Sequence, residues 1–457
     1  MKQKLLLTLS VAATLVLTGC GTKNNSGSSK TSDSSSSEEI PENTVTFNLP
    51  SMSDGAKEGG YDITVPYSDD YFKTSAKVYH KDLSMLSFGA SMTTGSKNKV
   101  QSFYDDIDFD NFVACDEYDE TPTETSVGYT LAHKTIDNAD LFAVTIRGLE
   151  YGMEWANNTK IGSEGNHAGF EARVNKIYTA LKGYVTEYAS KEAKLWISGY
   201  SRGGGIANLL ADKLLKENSF NVSAENMYVY TFEAPRGVDK ENASNWENVH
   251  NIINSADLIT YIAPDQYGLA RCGQDIDIYN SDVTDLMKIF DNNIDVPEFA
   301  PWSGSYATDQ EKATFLLGTL LTEGEEESSM ATRELFVKNY QDDIGYALGI
   351  VFGISDDCKD EIIEAVKAKG TSEIMALLED DNLYDFIKPF FDKYEFKYDD
   401  TKLKSACRTI QKGVNGPLMS IVLFAFLDTT KALPRAIAMH YTDTVYVLLK
   451  NYNSKIN

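Results

Sequence analysis

Leu195-Trp196-Ile197-Ser198-Gly199-Tyr200-Ser201-Arg202-Gly203 is an apolar run that ends in a G-x-S-x-G turn. Lys194 to Ser198 reads as a buried strand. Residues 204–217, GGIANLLADKLLKE, carry Ile206, Leu209, Leu210 and Leu214 at helical spacing. A strand that turns straight into a helix around one serine is a nucleophile elbow. The glycines Gly199 and Gly203 permit a tight turn that a Cβ would block, and the Ser201 hydroxyl then stands at the positive end of the next helix. The five-residue pattern alone is expected by chance roughly 0.1 to 0.2 times in a chain of this composition. Its plain alternative is a glycine-rich turn, and the flanking strand and helix argue against that.

A serine is a weak nucleophile at neutral pH, so the elbow requires a histidine base and a carboxylate to orient it. On an α/β scaffold of this kind the partners follow in the order Ser, Asp or Glu, His. Only His440 of the five histidines lies late enough, which demotes His80, His133, His167 and His250. The acid belongs just past a later strand. Val249 to Asn254 supplies that strand and makes Asp257 the leading acid, with Asp265 in the following IAPDQYG as its rival. A turn or helix-capping aspartate is the bland reading of Asp257. For His440 it is a surface histidine on a C-terminal helix.

These residues resemble the class 3 lipase-like α/β-hydrolases. The resemblance runs from about Phe103 to Gly273 and resumes near His440. It includes SFYDDIDFDNF, LFAVTIRGLEYGMEWANN, GNHAGFEARV, GYSRGGGIANLL, YTFEAPRGV and NIINSADLITYIAP. It implies an acyl-ester hydrolase with Ser201 as nucleophile, Asp257 as acid and His440 as base. It also implies an oxyanion hole made by the backbone N–H groups of Leu149 and Arg202, each typically worth a few kcal/mol of barrier. Two positions depart from the pattern. Leu149 replaces the usual Ser or Thr, and Glu233 replaces a small residue in the TFGAPR-type motif; Glu233 reads either as a solvated strand-end carboxylate or as a group that tunes substrate access. His167, at the first turn of a long amphipathic helix with Phe170, Val174, Ile177, Leu181 and Val185 on one stripe, reads as structural or pocket-lining. Trp155 and Arg147 fall in the same class. Arg147 reads as a support for the oxyanion loop through carboxylate hydrogen bonds, or as a strand-end surface charge.

The amino terminus carries an address. Lys2 and Lys4 precede the apolar run Leu5 to Leu17, and Leu17-Thr18-Gly19-Cys20 resembles a bacterial lipoprotein signal cleaved before Cys20. Acylation of Cys20 would anchor the chain to the membrane on its extracytoplasmic face, and several acyl chains suffice for stable anchoring. The run is short for a membrane span and leads into polar sequence. The following GTKNNSGSSKTSDSSSSEE cannot bury apolar surface and reads as a flexible tether. The formal net charge of −26 disfavours nucleic acid and anionic lipid surfaces, so the partners expected are an ester or lipid substrate and, through the anchor alone, the membrane. Cys115, Cys272, Cys358 and Cys407 are widely spaced and no pairing follows from them. No spacing suggests a metal site, a phosphate cradle or a dinucleotide turn, and neither cofactor nor metal is expected.

With 42% apolar residues over 457, the chain can bury one large core or a core plus a subdomain. The expected fold is α/β, an α/β-hydrolase with a mostly parallel central sheet and a helical cap insertion. Its expected organisation is a signal peptide over 1–19, a tether over 20–40, an N-terminal region and main core over 41–275, a helical insertion over 276–430, and a last piece of core over 431–457 carrying His440. Strands are expected over Thr44–Leu49 and Asp62–Tyr67, followed by a helical SAKVYHKDLSMLSF. Within the insertion, SDVTDLMKIFDNN, QEKATFLLGTLLTEG, ATRELFVKNYQDDIGYALGIVFGI, DEIIEAVKAK and SEIMALLEDDNLYDFIKPFFDKY read as helices. Leu418 to Leu427 reads as core of a buried helix. Phe386, Phe390, Phe391 and Leu423 either line an acyl channel under a lid or pack the insertion's own core. Other serine acyl hydrolases (phospholipase, thioesterase, peptidase) and a non-catalytic surface binding lipoprotein are the remaining function classes.

Overall fold

The computed structural model describes residues 43–150, 165–290, 294, 356–408 and 438–452, apart from 54, 121, 122, 124, 258, 262–267, 378, 397, 402, 405 and 406. The leader with Cys20, the tether, Trp155, Asp265, the helices expected over 310–324 and 331–354, and Leu418–Leu427 with Leu423 lie outside the described residues.

In chain order the elements are β1 (Thr44–Leu49), β2 (Tyr61–Pro66), α1 (Lys81–Met92), α2 (Lys97–Asp105), β3 (Asp110–Ala114), β4 (Tyr129–Ile136) and β5 (Ala139–Ile146). They continue with α3 (Ala168–Tyr188), β6 (Glu192–Tyr200), α4 (Arg202–Lys216), β7 (Met227–Phe232), β8 (Val238–Asp239), β9 (Val249–Ile253), β10 (Leu269–Ala270) and β11 (Gln274–Asp277). Helices α5 (Val283–Met287), α6 (Asp356–Lys367), α7 (Thr371–Ala376), α8 (Asn382–Lys393) and α9 (Thr442–Asn451) complete the series. A seven-stranded sheet has the order β11-β9-β7-β6-β5-β4-β3. Strands β5, β6, β7, β9 and β11 are parallel neighbours, while β3 and β4 close one edge antiparallel. This is the mostly parallel α/β sheet expected from the sequence.

Strand β6 is buried from Leu195 onward, as a central parallel strand covered on both faces must be. Its side chains alternate between two cores. Trp196 and Tyr200 pack with Tyr228, Tyr230 and Phe232 of β7 and with Phe72 and Phe88 on one face. Leu195 and Ile197 pack with Met227, Val229 and the α3 stripe Phe170, Val174, Ile177, Leu181 on the other. Helices α3 and α4 thus cover one face, and α1 with α9 the opposite face.

The N-terminal hairpin pairs Thr44–Leu49 with Tyr61–Pro66, antiparallel, one residue earlier in its second strand than expected. The helix expected from Ser75 begins only at Lys81. His80 is extended (φ −120°, ψ 116°) and caps it, its Nδ1 accepting the Leu83 N–H at 3.2 Å, so residues 75–79 approach as an irregular segment. A capping side chain ended the helix where hydrophobic pattern alone would have continued it.

In the insertion, α6 overlaps the expected DEIIEAVKAK but starts four residues earlier, α7 starts one residue before the expected SEIMALLEDDNLYDFIKPFFDKY, and α8 lies within it, while the described residues of SDVTDLMKIFDNN form only the short α5. Phe391 is buried against Phe396 and Tyr398, and Phe386 meets Phe390 edge-on with centroids 5.5 Å apart. Among the described residues no helix is long and apolar enough to cross a membrane.

Candidate active site

Ser201 sits between β6 and α4 at φ 53°, ψ −126°, a conformation that L-residues adopt only when the surroundings impose it. Those surroundings are backbone. A Cβ on Gly199 would lie 2.3 Å from the Gly203 carbonyl oxygen, and one on Gly203 would lie 2.4 Å from the Ile146 carbonyl oxygen. Both glycines of the elbow are therefore required by close approach. The Ser201 N–H donates to the Phe232 carbonyl at 2.8 Å, which ties the turn to β7.

His440 lies two residues before α9, which the N-terminal hairpin region holds in place. Asp443 accepts hydrogen bonds from the Ser51 hydroxyl and, at 3.2 Å, the Ser53 N–H; the Thr442 hydroxyl donates to the Pro50 carbonyl. Val445, Val447, Leu448 and Leu449 are buried in the core that β1 and α1 share. Two side chains fix the loop itself. The Tyr200 hydroxyl donates to the His440 carbonyl, and Asn254 Nδ2 donates to the Met439 carbonyl at 3.1 Å. The N-terminal stretch is thus a buttress for this histidine, and neither Tyr200 nor Asn254 is singled out by sequence reasoning. Tyr200 is one of the free positions of the G-x-S-x-G pattern, and Asn254 reads only as a strand end.

The imidazole bridges two side chains far apart in the chain. His440 Nε2 is 2.8 Å from Ser201 Oγ, and Nδ1 is 2.6 Å from Asp257 Oδ2. Asp257 is fully buried in the turn after β9. Its Oδ1 accepts the Ile259 N–H at 2.8 Å, so it is a turn aspartate and a partner of the histidine at once. Burial holds the His440 imidazole down at about 4, neutral at neutral pH and able to take a proton from Ser201.

The segment after β5 packs directly on the elbow. A Cβ on Gly148 would lie 1.8 Å from the Tyr200 carbonyl oxygen, and the next residue, Leu149, is buried. Arg202 is buried at the start of α4. Arg147 is buried as well, which overturns its reading as a surface charge. Its guanidinium donates to the Tyr118 carbonyl at 3.0 Å and lies over the Tyr118 ring, 4.8 Å from the centroid.

Glu233 is fully buried just past the end of β7, with φ 48°, which overturns its reading as a solvated strand-end carboxylate. It stands behind Asp257, and ligand atoms of Glu233, Asp257 and His440 lie within 4.8 Å of one another, the one such cluster among the described residues. Both imidazole nitrogens already have partners, so this cluster suits proton movement better than metal ligation. His167 caps α3 through its Nδ1, which accepts the Phe170 N–H at 3.3 Å, and its ring stacks on Phe170 with centroids 3.9 Å apart. It has the structural role expected. His250 is a buried core histidine that contacts the Ala76 carbonyl at 3.0 Å.

The model of the class 3 lipase family matches residues 143–267, from within β5 past the elbow and Asp257. Over that stretch the chain is similar to class 3 lipases, and the sheet that carries it is of the mostly parallel α/β type. No curated protein sequence matches it. Among solved structures, a fungal lipase in an inhibitor complex is similar at 14% identity over 45% of this chain and 83% of that one, with TM-score 0.35. The Rhizomucor miehei lipase propeptide complex is similar at 14% identity over 61% and 86%, with TM-score 0.35. Lipase from Rhizopus microsporus var. chinensis is similar at 14% identity over 53% and 84%, with TM-score 0.31. The family matched over residues 143–267 is one of lipases.

Proposed function

We propose that the chain cleaves acylglycerol-type carboxylic esters through an acyl-enzyme on Ser201. The single observation that carries this reading is the His440 imidazole held within hydrogen-bond distance of both Ser201 and Asp257. Neutral His440 takes the Ser201 proton as the oxygen attacks the ester carbonyl, and Asp257 stabilises the imidazolium that results. The backbone N–H groups of Leu149 and Arg202 receive the developing oxyanion, a role that needs no side chain and so tolerates leucine at 149. His440 passes its proton to the departing alkoxide. Water then attacks the acyl-enzyme, with His440 again as base, and releases the acid. Substitution Ser201→Ala is expected to lower ester hydrolysis by at least about a thousandfold while leaving the circular dichroism spectrum unchanged. Activity retained above that level on glycerides and short-chain esters would refute the assignment.

This hydrolase is proposed to work at the outer face of a bacterial membrane, held by lipid on Cys20. The motif Leu17-Thr18-Gly19-Cys20 after a short apolar run supports this, as does the polar tether that follows. A strongly acidic chain has no electrostatic attraction to anionic lipid, which leaves the acyl chains as the source of membrane affinity. Cys20→Ser is expected to abolish incorporation of radiolabelled palmitate and to release the protein from the membrane fraction. Unchanged labelling would exclude Cys20 as the acylated residue.

A further inference from the structure

Glu233 and Asp257 are two fully buried carboxyls with oxygens within 4.8 Å of each other. Two carboxyls buried this close together are not both ionised, because like charges out of water repel, so one of them carries a proton. The surrounding donors say which. Asp257 accepts from His440 Nδ1–H at 2.6 Å and from the Ile259 N–H at 2.8 Å. It also feels the charge of Arg271, which is anchored by a bidentate pair with Asp275 (3.0 and 2.7 Å). Glu233 has one backbone donor, the Asn254 N–H at 3.1 Å on Oε2, and its Oε1 meets no donor at all. Negative charge therefore rests on Asp257, and the proton on Glu233.

Resting on the Ser201 reading above, we propose that Glu233 is a positioning residue for the hydrolase, a neutral carboxylic acid whose O–H donates to Asp257 and fixes that carboxylate for His440. Glu233 touches no reacting atom. Its proton completes the set of donors around Asp257, and Asn254 links the two groups, since its N–H holds Glu233 while its side chain holds the His440 loop. Burial and the neighbouring negative charge of Asp257 both push the Glu233 carboxyl well above the ordinary range, in line with a retained proton. The charged and titratable groups facing it are Asp257, His440 and, through Asp257, Arg271.

The test uses the whole protein with Glu233→Ala and Glu233→Gln. Glutamine keeps a neutral donor toward Asp257 and an acceptor for the Asn254 N–H; alanine keeps neither. We expect E233A to lose about tenfold to a hundredfold in kcat, the range typical of an outer partner that orients a functional histidine, with KM little changed. E233Q should recover most of that loss, with the acid limb of kcat/KM at the wild-type pH. A Gln variant as impaired as the Ala variant, or one whose acid limb moves to lower pH, would mean that Glu233 acts as a charge, and would overturn the proposal. Infrared spectra add a readout independent of turnover and of whether E233A folds. A protonated-acid carbonyl stretch present in the wild type at neutral pH and missing from E233Q supports the assignment, and its absence from the wild type refutes it. Labelling by a fluorophosphonate separates the two readings: unlabelled wild type defeats the Ser201 mechanism, whereas labelled protein without the infrared band defeats only the role of Glu233.

Discussion

Asp140 and Glu233 are both fully buried acids in the central sheet, at opposite ends of it, and their environments drive them in opposite directions. Asp140 begins β5 and is surrounded by donors: the Ser190 N–H at 2.6 Å, the Lys191 N–H at 2.7 Å, the Thr135 hydroxyl at 2.9 Å and the Ser190 hydroxyl at 3.2 Å, with His133 Nε2 3.4 Å away. Those bonds overcome burial and hold it down at about 2. Glu233, at the strand ends that carry Ser201 and Asp257, has one backbone donor and an anionic neighbour, and is pushed up instead. Burial alone does not decide the charge of a carboxyl; the number of N–H and O–H groups aimed at it does. One end of the sheet spends its donors on a static cap for the α3–β6 connection. At the other end Asp257 takes most of the donors and Glu233 is left with a single backbone N–H, which favours its protonated form.

The largest effect that follows is at Asp257. Asp257→Asn should reduce kcat by about ten thousandfold, the scale seen when the orienting acid of a serine hydrolase becomes an amide, with little change in thermal stability. A loss smaller than tenfold would show that the charge at this end of the sheet is dispensable, and the contrast with Asp140 would lose its functional half.

Asp140 should show the reverse profile. Asp140→Asn is expected to leave ester hydrolysis near the wild-type rate and to cost on the order of 2 kcal/mol in stability, the scale of hydrogen bonds to a charged group. The pH dependence carries the sign. The folded-state value of Asp140 is depressed, so its contribution is fully present above the unfolded value of about 3.9 and is lost as pH falls through about 2. Glu233 runs the other way, because its folded value is raised. Stability relative to E233Q should decline as pH rises above the ordinary glutamate value of about 4.3. Urea melts of wild type, D140N and E233Q across pH check both slopes, and slopes of the same sign would break the comparison.

Much of this arrangement was legible in the sequence, and the reasons are local. Strand β6, the elbow and α4 follow from a continuous apolar run, two glycines and a helical repeat, each a short-range signal. The pairing of His440 with Asp257 followed from chain order and the position of a strand end. What escaped the sequence was long-range. A glutamate at the end of β7 reads as solvated because glutamates usually are, and nothing in YTFEAPRGV announces that its neighbour in space is Asp257. Arg147 was opaque for the same reason, since its partners Tyr118 and Gly128 lie in a different part of the chain. The start of α1 was missed because His80 uses a ring nitrogen where Ser or Asp is the usual cap.

Activation of Ser201 by the imidazole between it and Asp257 can be measured most directly by exposing the full-length protein at neutral pH to a fluorophosphonate and mapping the adduct by peptide mass spectrometry. The account predicts one adduct, on Ser201, formed rapidly in the wild type and essentially lost in His440→Ala. An unmodified Ser201, or labelling that persists unchanged without the imidazole, would contradict it.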